Sequence, residues 1–279
     1  MKLSVITDEI SLDLAHALDV MREFGVQAAE LRGVWDANIA DLSPEKVNQA
    51  RTLLDEKGLM TSAIASPFFK CNLTDDEEGE TGRTHLAATR GLKDQIDLLH
   101  KCIELAAAFD TRLIRVFAFW KRGPLTPQIE DRIVEAFAEP VKIAEDAGVV
   151  LALENEHACY LGTGVETARV LKRIGSPALR AVWDPGNAFF AGEVPPFPAG
   201  YEAIREYVAH VHVKDAWRRP SGEDEFVVVG EGTIDYHGQF AALKKDGYGG
   251  YISLETHVQP GEEASRRCLA AMRSLLAEL

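Results

Sequence analysis

The chain has 279 residues, with 30 Lys plus Arg against 44 Asp plus Glu and a formal net charge of −14. Hydrophobic residues make up 46%, enough for a sizeable core, so a largely disordered chain is excluded. The acidic balance argues against a nucleic-acid-coating protein, because phosphate backbones reward basic surfaces. Cys71, Cys102, Cys159 and Cys268 form no CxxC pair, so neither a zinc knuckle nor a disulfide framework is expected. The start MKLSVITDEI lacks a long apolar stretch, and no apolar run approaches the ~20 residues that cross a bilayer. A cytoplasmic protein without membrane or nucleic-acid partners is the expectation.

Short runs rich in Val, Ile and Leu recur along the chain. The spacing predicts strands at 3–7, 28–32, 60–66, 112–119, 149–155, 179–184, 209–215 and 251–256. Amphipathic stretches between them predict helices near 11–24, 43–57, 85–109, 127–147, 164–175, 201–207, 236–246 and 262–278. Ser43-Pro44 supplies a cap and a first-turn proline, and Gly25, Gly58 and Gly148 stand where left-handed C-caps are expected. Eight strand–helix units in one chain of this length predict an α/β fold, a single (β/α)8 TIM barrel over residues 1–279. An open doubly wound sheet is the alternative. Residues 70–84 read as a mobile acidic loop after strand 3. Residues 216–235 read as a long loop after strand 7, with FVVVG able to add a short strand. Both fall at the C-terminal mouth, where barrel enzymes carry their sites.

Strand side chains alternate between the barrel interior and the helices. With Leu151 and Leu153 facing helices, Glu154 points inward at the mouth. Asp184 ends strand 6, His212 lies near the end of strand 7, and Glu255 shares the inward face of strand 8 with Ser253. Four consecutive strands thus aim Glu154, Asp184, His212 and Glu255 at one cavity. Three carboxylates crowded at low dielectric need protons, cations or a metal. Three oxygen ligands and one imidazole suit one divalent ion, Mn²⁺ first, with Mg²⁺, Co²⁺ or Zn²⁺ as alternatives.

The segments LENEH (153–157), VWDPGNA (182–188), HVHVKDA (210–216), VGEGTIDY (229–236) and GYGGYISLETH (247–257), with the opening ITDEIS, resemble the sugar phosphate isomerase/epimerase family. These are xylose isomerase-like TIM barrels related to the family 2 AP endonucleases. The resemblance covers nearly the whole chain. It implies that Glu154, Asp184, His212 and Glu255 bind one divalent metal, and that Glu154 and Glu255 also shuttle protons. The implied activity is isomerisation or epimerisation of a keto sugar or related polyhydroxy carbonyl compound through an enediolate. A lyase or dehydratase acting on a keto sugar, keto-glycoside or inositol derivative from the same site is the alternative. A non-catalytic sugar-binding barrel and an AP endonuclease are less favoured. The endonucleases need further histidines where this chain has Ser66, Phe68, Phe119 and Asn187. The family also carries the expectation of a homo-oligomer.

Other residues are candidate substrate contacts. Lys214 follows His212 by two on the same face, and a pairing with the site carboxylates is its alternative role. Arg32 is a candidate anion contact near the mouth. Arg115 is expected to pair with a barrel carboxylate such as Glu30. His157 is offset by one residue from the family's Glu-Asn-His, and Asn187 stands where several relatives carry His. Trp120 follows strand 4 at the mouth, and Arg218 lies in the long loop after strand 7. His210 is expected as a satisfied interior histidine or a support for the site.

Overall fold

Eight parallel strands close into a barrel in chain order in the computed structural model of the protein. The structure describes residues 1–74, 77 and 82–279. The strands are β1 (Lys2–Ile6), β2 (Ala28–Leu31), β3 (Met60–Ile64), β4 (Leu113–Val116), β5 (Val150–Glu154), β6 (Leu179–Trp183), β7 (Val208–Val213) and β8 (Tyr251–Leu254). Closure joins β1 to β8, with Lys2 opposite Tyr251 and Val5 opposite Leu254. Each predicted strand coincides with one of these.

Alternation organises the wall. Leu151, Leu153, Ile252 and Leu254 are fully buried beneath the helices, while Ser4, Ala152 and Ser253 share the opposite parity and face the interior. The β2–β3 register shifts between Ala29 and Glu30. Such irregularities re-aim side chains, and this one sits beside buried Glu30.

The helices are α1 (Leu14–Glu23), α2 (Pro44–Lys57), α3 (Gln95–Ala108), α4 (Pro127–Ala136), α5 (Ala138–Ala147), α6 (Gly164–Ile174), α7 (Pro185–Phe190), α8 (Ala199–Ile204), α9 (Tyr236–Lys245) and α10 (Gly261–Ala277). Ser43 caps α2 by accepting from the Lys46 N–H, as its sequence signature predicts. Two helix expectations need correction, and one further helix lies outside the expected set. The expected 85–109 helix starts only at Gln95, because His85 and Leu86 adopt left-handed backbone angles and a 3-10 turn precedes it. The expected 127–147 helix is two helices split at Phe137, where Pro140 supplies no N–H to the preceding turn. Finally, Pro185-Gly186 opens α7, with Asp184 as N-cap and Pro185 at its start.

Two small hairpins decorate the mouth, Gly33–Val34 with Ala37–Asn38 and Asp215–Arg218 with Asp224–Val227. The second lies in the long loop expected after β7, although its return strand overlaps FVVVG only at Phe226 and Val227. Within the acidic loop expected at 70–84, residues 75, 76 and 78–81 lie outside the described residues. All four cysteines are buried. Among the described residues, no helix is long and apolar enough to cross a membrane.

Candidate metal centre

Glu154, Asp184, His212 and Glu255 converge at the C-terminal mouth, with one ligand atom from each within 4.8 Å of the others. All four are buried. Each is fixed by its own support. The Asp184 backbone is clamped to β5 by Asn155, whose Oδ1 accepts the Asp184 N–H at 2.8 Å and whose Nδ2 donates to the Asp184 carbonyl at 2.7 Å. Capping α7 engages Asp184 Oδ1, which accepts the Asn187 N–H at 2.8 Å, and leaves Oδ2 for the site. Glu154 Oε1 accepts from Asn187 Nδ2 at 2.9 Å and lies 3.2 Å from His212 Nδ1.

His212 divides its ring between two duties. Nδ1 faces the carboxylates, 3.4 Å from Glu255 Oε2 and 3.7 Å from Asp184 Oδ2. Nε2 lies 3.0 Å from Glu30 Oε1. Glu30 also bonds His210 Nε2 at 2.9 Å, so His210 is the interior histidine expected. Burial alone would raise the Glu30 carboxyl, but His212 and His210 outweigh it and hold it well below the usual carboxylate range. Burial would likewise lower His212, yet the Glu30 and Glu154 carboxylates push it well above the ordinary imidazole value.

Buried cations offset the acidic charge. Lys214 Nζ lies 2.5 Å from Glu255 Oε2 and 2.9 Å from Asp184 Oδ2. Lys214 is therefore paired with the site carboxylates, the alternative role considered for it. Gly186 lets α7 approach, since a Cβ there would sit 2.3 Å from Lys214 Cγ. Arg115 Nη1 lies 3.5 Å from Glu154 Oε2 and 3.9 Å from Glu255 Oε1. This corrects the expected Arg115–Glu30 pair, because Glu30 is already held by two imidazoles. Burial would also raise Glu255, but Lys214, His257 and His212 hold it well below its usual range.

The donor set fits a divalent ion. Neither Glu154 Oε2 nor Asp184 Oδ2 receives a hydrogen bond, although both are buried. Lys214 is close to the latter but outside hydrogen-bond geometry. Buried carboxylate oxygens left unmatched are costly, and a cation between them would satisfy both. Two other clusters are less suited. Glu30, His210 and His212 are already joined by hydrogen bonds, and the His85–Glu255–His257 group shares Glu255 Oε1 with Arg32 Nη1 at 2.5 Å.

The remaining candidates fall in varied places. Arg32 is buried and engaged by Asp8, Glu9 and Glu255, so it braces Glu255 in place of the expected role as an anion contact. His157 Nδ1 lies 3.0 Å from Asn187 Oδ1 and 3.0 Å from Glu156. Asn187 is buried and links His157 to Glu154. Trp120 is buried and bridges Cys159. Arg218 is exposed on the hairpin and paired with Asp224 at 2.7 Å.

Above the quartet, a cavity of about 240 Å³ is lined by Lys70, His85, Glu156, His157, Phe226 and His257 among others. Phe226 comes from the hairpin and stacks on Phe190 at 4.1 Å. Sequence reasoning missed several of these. His257 had a usable signal, since it follows Glu255 by two and its Nε2 lies 3.7 Å from Glu255 Oε1. Lys70 and Phe226 had none, because loops bring them in.

The HVHVKD and GEGTID segments form one device. Asp215 accepts backbone N–H groups from Ala216, Gly230, Gly232 and Ile234 at 2.8, 2.9, 3.0 and 3.3 Å. A Cβ at residue 232 would sit 2.1 Å from Asp215 Oδ1, so only glycine permits this approach.

The family model for xylose isomerase-like TIM barrels matches residues 18–275. The chain belongs to this family. Among relatives of this xylose isomerase-like barrel, an inosose dehydratase of Yersinia enterocolitica is 26% identical over 250 residues, covering 82% of this chain and 80% of that protein. Two solved structures share the fold. The IOLI protein, solved with a bound zinc atom, aligns with a TM-score of 0.78 and 19% identity over 100% of this chain and 99% of that one. A D-allulose 3-epimerase from Methylomonas sp. aligns with a TM-score of 0.76 and 17% identity over 100% and 98% of the two chains.

Proposed function

We propose that the chain is a divalent-metal-dependent enzyme of carbohydrate metabolism that abstracts a proton next to the carbonyl of a keto sugar or related polyhydroxy carbonyl compound. The observation that carries this is the buried quartet with two carboxylate oxygens, Glu154 Oε2 and Asp184 Oδ2, that receive no hydrogen bond. Glu154, Asp184 and Glu255 would hold the ion through oxygen and His212 through Nδ1, a donor set that favours Mn²⁺. A bound ion of this kind supplies Lewis acidity to the carbonyl.

The protein's own residues do the rest. Glu154 and Glu255 stand on non-neighbouring strands, β5 and the end of β8, so they approach the substrate from different sides. One takes the carbon-bound proton on a carboxylate oxygen, and the other returns a proton. Return to the opposite face gives an epimer, and return to the adjacent carbon gives an isomer. Lys214 keeps Glu255 ionised and so able to accept, and Arg115 lies beside both glutamates. Arg32 and Asn187 fix their orientation. The Phe226 hairpin narrows the mouth and limits water.

Dehydration is the second reading, favoured by the inosose dehydratase likeness along four-fifths of the chain. It begins with the same proton abstraction and continues by loss of a β-hydroxyl as water.

The deciding experiment joins metal content to solvent exchange. About one divalent ion per chain is expected, lost or weakened in Glu154→Gln, Asp184→Asn, His212→Ala and Glu255→Gln. Incubation with ketoses and inososes in D₂O then separates the readings by NMR. Deuterium in a recovered epimer or isomer supports the first, and a dehydrated product supports the second. An absence of C–H exchange with every compound would leave a sugar-binding barrel, and metal content indifferent to the four substitutions would sink the proposed site.

A further inference from the structure

Five aromatic rings form a continuous arc at the mouth. His85, in the loop after β3, stacks on His257, just after β8, with centroids 5.7 Å apart. His257 meets Phe226, on the return strand of the second hairpin, at 5.3 Å. Phe226 stacks on Phe190, at the end of α7, at 4.1 Å. Phe190 in turn meets His157, after β5, at 5.3 Å. The arc is tied to the quartet below it. His257 Nε2 lies 3.7 Å from Glu255 Oε1, and Lys214 Nζ lies 5.8 Å from the Phe226 centroid. His157 reaches Glu154 through Asn187.

Core packing does not account for this arrangement. All five rings are half-buried, whereas Phe68, Phe119 and Phe137 of the core are fully buried. Four of the five, all but Phe190, line the cavity of about 240 Å³ together with Lys70 and Glu156. That volume falls below the ~300–1,000 Å³ of pockets that take drug-sized ligands. Phe226 touches both Phe190 and His257, so it joins the two halves of the arc. The width of the mouth therefore depends on its side chain.

We propose that Phe226 sets a size limit on the substrate. The site takes compact, unsubstituted polyhydroxy carbonyl compounds and rejects those that carry a glycosyl group. This rests on the function proposed above and narrows its substrate class. Ring faces pack on the C–H faces of a sugar or cyclitol, and imidazole nitrogens meet its hydroxyls. A glycosyl group would have to pass where Phe226 closes the arc. Discrimination of this kind comes from the clash built against the larger molecule.

Two hydroxamates with one head group and different sizes test this without turnover. Gluconohydroxamate is compact, and lactobionohydroxamate is the same compound carrying a galactosyl group. Both bind metals through two oxygens, and the visible bands of the Co²⁺-loaded chain report their arrival. The parent is expected to bind gluconohydroxamate at least about tenfold more tightly than lactobionohydroxamate. Phe226→Ala should bring that ratio to within about threefold. Phe226→Leu, which keeps more of the packing, should narrow it in the same direction, and Phe226→Tyr should retain it. Co²⁺ content and circular dichroism of each variant report the fold. Equal affinities in the parent, a ratio that survives both Phe226→Ala and Phe226→Leu, or a loaded parent that takes no gluconohydroxamate would each overturn the size limit and leave the metal site standing. A parent that binds no Co²⁺ would overturn the metal site, and the size limit with it.

Discussion

Lys214 and Asp184 meet inside the mouth with Nζ 2.9 Å from Oδ2, on the oxygen that capping of α7 leaves toward the site. Lys214 thus places a fixed positive charge where a divalent ion would share the same carboxylates. Replacing it with methionine keeps much of the stem that packs on Gly186 and removes the charge. Breaking a buried pair from one side costs about 3–5 kcal/mol, so Lys214→Met should lower metal-free stability by that order in urea unfolding. Mn²⁺ should bind this variant more tightly than the parent, because Asp184 and Glu255 then lose a close cation. Unchanged or weaker Mn²⁺ affinity by titration calorimetry would show that Lys214 supports the ion and does not compete with it.

Glu30 reaches the site only through His212. Its carboxylate fixes which way the ring turns, and it holds His210 at the same time. Partners of this kind typically change metal affinity by about 10–100-fold when altered. Glu30→Gln is expected to weaken Mn²⁺ binding by that order while the circular dichroism spectrum stays that of the parent. Affinity equal to the parent would mean that His212 needs no orienting partner.

Acid stability should report Glu9. Burial would raise its carboxyl, but the Arg32 guanidinium and His257 outweigh burial and bring it down to about 2. A carboxyl whose folded value lies below its unfolded one stabilises the protein above the unfolded value. That contribution is lost as pH falls toward the folded value. The window here runs from about 4.5 down to about 2, and the contribution is roughly 3 kcal/mol from the shift. Urea midpoints measured across this window should fall less steeply with acid in Glu9→Gln than in the parent. Equal slopes would contradict the assignment.

Asp215 ties the loop after β7 to the mouth through four backbone N–H groups. Asparagine in its place turns an NH₂ group toward some of those donors. With unmatched buried donors each costing about 1–3 kcal/mol, Asp215→Asn should destabilise the chain measurably. It should also speed amide exchange at Gly230 and Gly232 ahead of the barrel strands. Uniform acceleration across the barrel would indicate global loosening in place of a released loop.

The barrel and the quartet were legible in the sequence because both follow from local periodicity. Alternation along a strand fixes which side chains face inward. In a closed parallel barrel all inward residues at the C-terminal strand ends share one cavity, so Glu154, Asp184, His212 and Glu255 were found without any contact information. Helix edges were less legible. Left-handed angles at His85 and Leu86 and the α4–α5 break at Phe137 depend on how the chain enters and leaves the helix layer.

Pairing among the buried charges was decided by the tertiary structure alone. Glu30 meets His210 and His212, Arg115 meets Glu154 and Glu255, and Arg32 gathers Asp8, Glu9 and Glu255. Sequence shows that such charges must be matched, since an isolated buried charge is too costly. It does not show which partner lies within reach, because that depends on strand tilt, register shifts and the height of each side chain in the barrel. The same holds for Lys70 and for the rings around Phe226, where residues far apart in the chain become neighbours only once the barrel has closed.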